Sequence, residues 1–438
     1  MGVSSSGLAN TGGGGGGGSD NSGATQSTGG KGGSGIVIVS YPAIYGTRIL
    51  TLTGPVQVAA TSTLDDGGNF IVVQSAMTGV GGIIKSGTGT VTLSSSNSHT
   101  GNTTVSAGSL LLGNAQALGK STFTGGPGSL SFGGLTAATF GGLSGASNLA
   151  LSNTSSAAVA LSVGANDAST TYSGALTGAG AFAKVGTGRL TLTGSAGHGG
   201  ATTVSAGILE IGAAGRLDAT SGLSINGGNF KYNAATAFNR PLTFTQGTIS
   251  GTGTIATAVT IASGATLSPG NSPGIQPYTG GHAWAPGGTY EWELNALSGT
   301  AGVNWDMISV TNGLSLSDLL VGNTFNLNLI TLTGSNTAGL LDTGYVPGST
   351  LAFSIATFDS LSVPGGFSTL AGSDLTSLFT INLSGWQGTK PNVSDISVKV
   401  NDTGNAINLV VVPEPMTLAL AGIGSALVAW RILRRRRA

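Results

Sequence analysis

Lys85-Ser-Gly-Thr-Gly-Thr-Val-Thr-Leu93 returns as Lys184-Val-Gly-Thr-Gly-Arg-Leu-Thr-Leu192, and Thr103-Thr-Val-Ser-Ala-Gly108 returns as Thr202-Thr-Val-Ser-Ala-Gly207. Residues 78–113 align with 177–212 without a gap at an offset of 99, and 20 of 36 positions are identical. Inside each copy Val91 and Leu93 alternate with Thr90 and Thr92, the period of a strand with one face buried. Gly101 marks a corner, Val105 points inward again, and Leu110 and Leu112 follow after Gly108. The phase returns after about 20 residues, with three short strands and a glycine at each bend, which is one coil of a parallel β-helix. Inward Leu and Val then stack on their equivalents in the next coil, each contributing about 1.5–3 kcal/mol on burial.

Working outward, a degenerate third unit begins at Gly247-Thr-Ile-Ser-Gly-Thr-Gly-Thr-Ile255 and runs into the turn Leu267-Ser-Pro-Gly-Asn-Ser-Pro-Gly274. The region 36–275 is therefore expected to be β-helical. Residues 1–35 are mostly glycine and serine, with too little apolar surface to offset the entropy of ordering them, and read as a linker. From 276 to 411 the texture changes. Tyr290-Glu-Trp-Glu-Leu294, Trp305-Asp-Met-Ile-Ser-Val310 and Phe325-Asn-Leu-Asn-Leu-Ile330 alternate more strictly and carry large aromatics. This stretch is expected to be a β-rich C-terminal domain, either a sandwich or continued β-helix.

Composition narrows the function. Charged residues are 7% of the 438, against a usual share of about 25%. Apart from five arginines at the C-terminus, acidic residues outnumber basic ones by five, so the chain has no electrostatic grip on nucleic acid. Cysteine is absent, which excludes disulfides, thiolate metal sites and cysteine nucleophiles. The glycine run at 12–18 lacks the Gly-Lys-Ser/Thr ending of a phosphate loop. No cofactor is implied.

The tail reads as an address. Val412-Pro-Glu-Pro415 is held extended by its two prolines. An uncharged apolar run follows, and the span 416–433 makes a helix of about 27 Å, enough to cross a bilayer. Arg431, Arg434, Arg435, Arg436 and Arg437 flank it and favour a cytoplasmic C-terminus. Met1 to Ser6 carries neither a positive start nor a following signal-length apolar stretch, so the export signal is expected upstream of Met1.

Two resemblances rest on these residues. Lys85 to Gly113 and Lys184 to Gly212 resemble the autotransporter-associated β-strand repeat of bacterial surface passengers, with His99 and His198 where that family often has tyrosine. The resemblance implies an all-β fold, a right-handed parallel β-helix. The tail resembles the PEP-CTERM sorting signal of Gram-negative bacteria. It implies an exosortase as processing partner, recognition at Val412, Pro413, Glu414 and Pro415, a single-pass membrane intermediate, and an envelope or exopolysaccharide-matrix setting. Met416 departs from the serine or threonine usual there.

Candidate chemistry is sparse. His99 and His198 could bind metal or move protons, but their duplication favours an architectural role as turn residues in stacked corners. His282 reads as an exposed loop residue beside Trp284. Glu291 and Glu293 share one strand face and are the best two-carboxylate candidate for a polysaccharide enzyme, though a solvated face explains them as well. Asp65-Asp66 falls in a turn before Gly67-Gly68, and Asp306 is equivocal. Trp284, Trp292 and Trp305 are candidate stacking platforms for a glycan. The sequence thus favours an exported structural or adhesive protein over an enzyme.

Overall fold

The periodicity of Val91 and Leu93 is realised as strands that stack in register. The computed structural model describes residues 49–412, nearly all of whose regular structure is strand. Helix among these residues is confined to the short turns Thr376–Leu378 and Val393–Asp395. Contacts divide the chain between Val259 and Thr260 into two compact units.

In the first unit Ile49–Leu52, Phe70–Val73, Thr90–Leu93, Ser109–Leu112 and Ser129–Ser131 form one parallel sheet, each strand about one coil after the last. Register places Ile71, Val91 and Leu110 in one buried stack, and Val73, Leu93 and Leu112 in the next. A second ladder runs from Ile83–Ser86 through Thr103–Val105, Leu118–Gly125, Ala137–Leu143 and Ala160–Val163 to Phe182–Lys184. The offset of 99 residues is therefore five ladder steps. In the second copy Leu190, Leu209, Phe230 and Ile249 repeat the buried stack.

The second unit also coils. Ile275–Tyr278 pairs in parallel with Met307–Val310, and that strand with Leu351–Phe358. Ala265–Pro269 pairs in parallel with Thr289–Leu294, then Phe325–Thr331, then Phe379–Asn382. The choice between sandwich and solenoid is thereby resolved for solenoid. The expected change near 275 is one of side-chain size, not of fold. The last described strands reverse: Ala406–Val411 runs antiparallel to both Leu351–Phe358 and Ile396–Val400. Backbone bonds from Leu375 N–H to Val398 O and from Val400 N–H to Ser373 O cover the outer edge of Ile396–Val400. An edge so covered cannot template pairing with another chain.

Among the described residues no helix is long and apolar enough to cross a membrane. The expected helix at 416–433, with Pro413, Glu414, Pro415 and all five tail arginines, lies outside them. Val412 is the last described residue; it is exposed, and its N–H donates to Asp395 O at 2.8 Å.

Candidate functional site

The repeat motif that decides the fold also builds its most polar interior feature. Ile83 and Lys85 have the same phase on Ile83–Ser86, so alternation sends Lys85 inward. Its ammonium donates to Ser86 O at 2.7 Å, Gly87 O at 2.8 Å and Ala107 O at 3.0 Å. The Gly-Thr-Gly bend turns the first two carbonyls toward the nitrogen, and the third comes from the next coil. Asp66 completes the shell at 2.6 Å, and both side chains are fully buried. The other Asp66 oxygen accepts the N–H groups of Gly68 and Gly89 at 2.8 and 2.9 Å. A buried charge survives only when paired and hydrogen-bonded, and this pair meets both conditions.

Lys184 repeats the cradle on Val185 O, Gly186 O and Ala206 O at 2.6, 2.8 and 3.3 Å. No carboxylate touches it; Asp167 instead accepts Thr187 N–H at 2.7 Å. Burial pushes the Lys184 ammonium down to about 8, with the Asp167 charge opposing. Gly108 has φ of +63°, and a methyl there would meet Gly89 O, Gly87 O and the Lys85 ammonium. The lysine cradle thus requires that glycine.

His99 and His198 occupy equivalent positions, and both are fully buried. His99 Nε2 lies 3.1 Å from Thr103 Oγ1, Thr103 lies 2.7 Å from Ser121 Oγ, and Ser121 donates to Gly101 O at 2.6 Å. Ser121 spends its proton on the carbonyl, so Thr103 must donate to Ser121, and His99 Nε2–H must donate to Thr103. The second copy follows the same path through His198, Thr202, Thr220 and Gly200 O. These are closed interior chains, unable to reach a substrate.

Burial also corrects the aromatic readings. Trp284 is 1% exposed and stacks on Phe325 with centroids 4.9 Å apart. Trp292, also 1% exposed, donates its indole N–H to Asp306 O at 2.8 Å. Trp305 is 9% exposed, packs on Phe353 and donates to Ser354 O at 3.2 Å. A ring with no free face cannot stack on a sugar, so none of the three is a glycan platform. His282 is buried too, its ring 4.2 Å from that of Tyr278, where an exposed loop was expected.

Glu291 and Glu293 do share the outward face of Thr289–Leu294, alternating with buried Tyr290, Trp292 and Leu294. Burial and the neighbouring Glu293 charge push the Glu291 carboxyl up. Ser272 donates to Glu293 Oε2 at 2.5 Å. The two carboxylates stand side by side on one strand rather than across a cleft, whereas glycoside hydrolysis needs them on either side of the scissile bond. Register sets Glu291 beside Asn328 and Asn328 beside Asn382, a polar row on the outer face. Asp306 is structural: buried, it accepts Gly274 N–H at 2.7 Å and Glu293 N–H at 3.1 Å, fixing the Ser-Pro-Gly turn. Desolvation first, then the Glu293 charge, raises its carboxyl well above the usual range. Among the described residues no group of three or more His, Asp or Glu side chains could hold a metal ion.

The chain is a parallel β-solenoid carrying repeats of a recognised passenger type. The passenger-associated-transport-repeat family matches residues 83–112 and 182–211, the two segments that hold the lysine cradles and histidine chains. Over 192 residues, 40% of the chain, the sequence is 31% identical to the adhesin BmaC autotransporter of Brucella suis biovar 1 (strain 1330). The chain spans about 5% of that protein's length.

Proposed function

We propose that this chain is an exported, surface-associated adhesive or structural passenger of a Gram-negative bacterium, and not an enzyme. The observation that carries the reading is the pair of repeats, matched as passenger-associated and built with interiors closed to substrate. The adhesin relative supports the same direction. In this reading the solenoid presents an almost uncharged, hydroxyl-rich outer surface to a cell or matrix partner such as exopolysaccharide.

Sorting is the second part of the proposal. Val412 to Pro415 would be gripped extended by an exosortase while the 416–433 helix holds the chain in the membrane, with Arg431 and Arg434 to Arg437 inside. Exposed Val412 is accessible to such an enzyme. A carbohydrate-binding role survives as a second reading only through the outward Glu291–Asn328–Asn382 row, since the tryptophans are internal.

The test separates the two parts. Beads coated with the protein should adhere to host-strain cells or matrix above a bovine albumin control; equal retention would remove the adhesive reading. Replacing Pro413, Glu414 and Pro415 by alanine should leave the chain uncleaved at the membrane in the strain that makes it. Unchanged processing of that variant would remove the sorting reading while leaving adhesion untouched.

A further inference from the structure

All three histidines of the chain are interior, and their ring nitrogens are incompletely paired. The hydroxyl chains described above fix His99 and His198 as the Nε2–H form, leaving Nδ1 of each as a bare lone pair without a partner. His282 has no hydrogen bond at either nitrogen. Protonating any of these rings creates a buried N–H and a positive charge with nothing to receive them.

The surroundings offer no compensation. Around His99, the neighbouring strands bear Lys85, committed to its cradle and Asp66, and Lys120, which reaches out to Ala165 O. Phe182 lies on the His198 ring at 5.8 Å, and that strand bears Lys184. The segment before Thr220 bears Arg216 and Asp218, which face each other at 4.0 Å on the exterior. His282 faces Tyr278, whose hydroxyl donates to Gln276. The strand Leu314–Ser315, paired to His282, carries no titratable group. Among the described residues no carboxylate is hydrogen-bonded to a ring nitrogen of the three.

We infer that the fold is acid-sensitised through its histidines: mildly acidic conditions weaken each unit because they charge histidines that the folded interior holds neutral. Burial lowers His99, pushes His198 down to about 4 and His282 to about 3. An unfolded histidine titrates near 6.5, so the unfolded chain takes up protons first as pH falls. The stability these rings contribute is complete above about 6.5 and is lost progressively toward the folded values. Between pH 7 and 5 the unfolding constant rises by about 20- to 25-fold for each of His198 and His282. Asp306 and Glu291, whose carboxyls are raised, oppose this in the second unit. The diagnostic there is the difference between parent and variant.

His282→Phe is the clean substitution, because the ring loses no hydrogen bond. Four of the five tryptophans are among the described residues and all four lie in the second unit, so the change in indole fluorescence of the full chain on unfolding follows that unit rather than the first. Urea unfolding at pH 7 and pH 5 should show a rise in the parent unfolding constant about 25-fold greater than in H282F. Equal pH dependence in parent and H282F would overturn the proposal for this unit, and His282→Leu provides the same comparison where Phe fails to fold. For the first unit, protection factors of the amides over 182–211, corrected for the slower intrinsic exchange at lower pH, should fall by about 20-fold between pH 7 and 5. Protection there that is unchanged across that range would overturn it.

Discussion

Replacing Lys85 by methionine keeps the length of the side chain and removes its charge, so it isolates what the cradle contributes. Three carbonyls lose their donor and Asp66 Oδ2 loses its counter-ion, while Asp66 Oδ1 keeps Gly68 and Gly89. Breaking a buried pair from one side costs about 3–5 kcal/mol, because a desolvated charge is left alone. Lys184→Met makes the same three carbonyls idle but strands no buried carboxylate, so about 1–3 kcal/mol is expected. The two substitutions, chemically identical and 99 residues apart, should therefore differ by about 2 kcal/mol. Amide hydrogen exchange read peptide by peptide over 83–112 and 182–211 gives the local opening free energy at each cradle. Adding Asp66→Asn to Lys85→Met should recover part of the loss, since the lone charge is gone. Equal losses at the two sites, or no recovery in the double variant, would refute the assignment of the difference to the ion pair.

Three further outcomes are expected. Gly108→Ala should destabilise the first unit by at least about 1–3 kcal/mol, since a positive φ and two facing carbonyls both oppose the methyl; far-UV circular dichroism in urea measures it. Thr103→Val should cost about 1–3 kcal/mol by leaving His99 Nε2–H without an acceptor, whereas Thr103→Ser, which keeps the hydroxyl, should be far milder in the same assay. Asp306→Ala strips the acceptor from the amides of Gly274 and Glu293 and should cost about 2–4 kcal/mol, followed by tryptophan fluorescence on unfolding.

Much of the fold was legible because strand alternation and glycine spacing are local properties. Val91, Leu93, Val105, Leu110 and Leu112 are all interior, as their period requires. The polar interior was harder to read. Lys85 shares the inward phase of Ile83, but lysine is rarely buried, and residue type overrode phase. The signal was the Gly-Thr-Gly that follows, a bend able to aim carbonyls at a cation. For His99 and His198 the separation from Thr103 and Thr202 by four residues was visible, but the partners Ser121 and Thr220 come from the following coil. The tryptophans of the second unit were read by type as sugar platforms. For Trp292 the strict alternation with Glu291 and Glu293 was the better guide, because it already placed the ring opposite the charged face.

The separation of the two repeat copies has a consequence for how such a chain can change length. Five ladder steps carry Ile83 to Phe182, a rise of about 24 Å at about 4.8 Å per step. Because every cradle borrows a carbonyl from the next coil, a gain or loss of one whole coil leaves each lysine a lender of the same kind. A gain of half a coil would turn lenders into strangers and set Thr where Leu must be. Size in this protein is accordingly a whole number, counted in coils, and inheritance can add to it or subtract from it without renegotiating any interior contact beyond the seam.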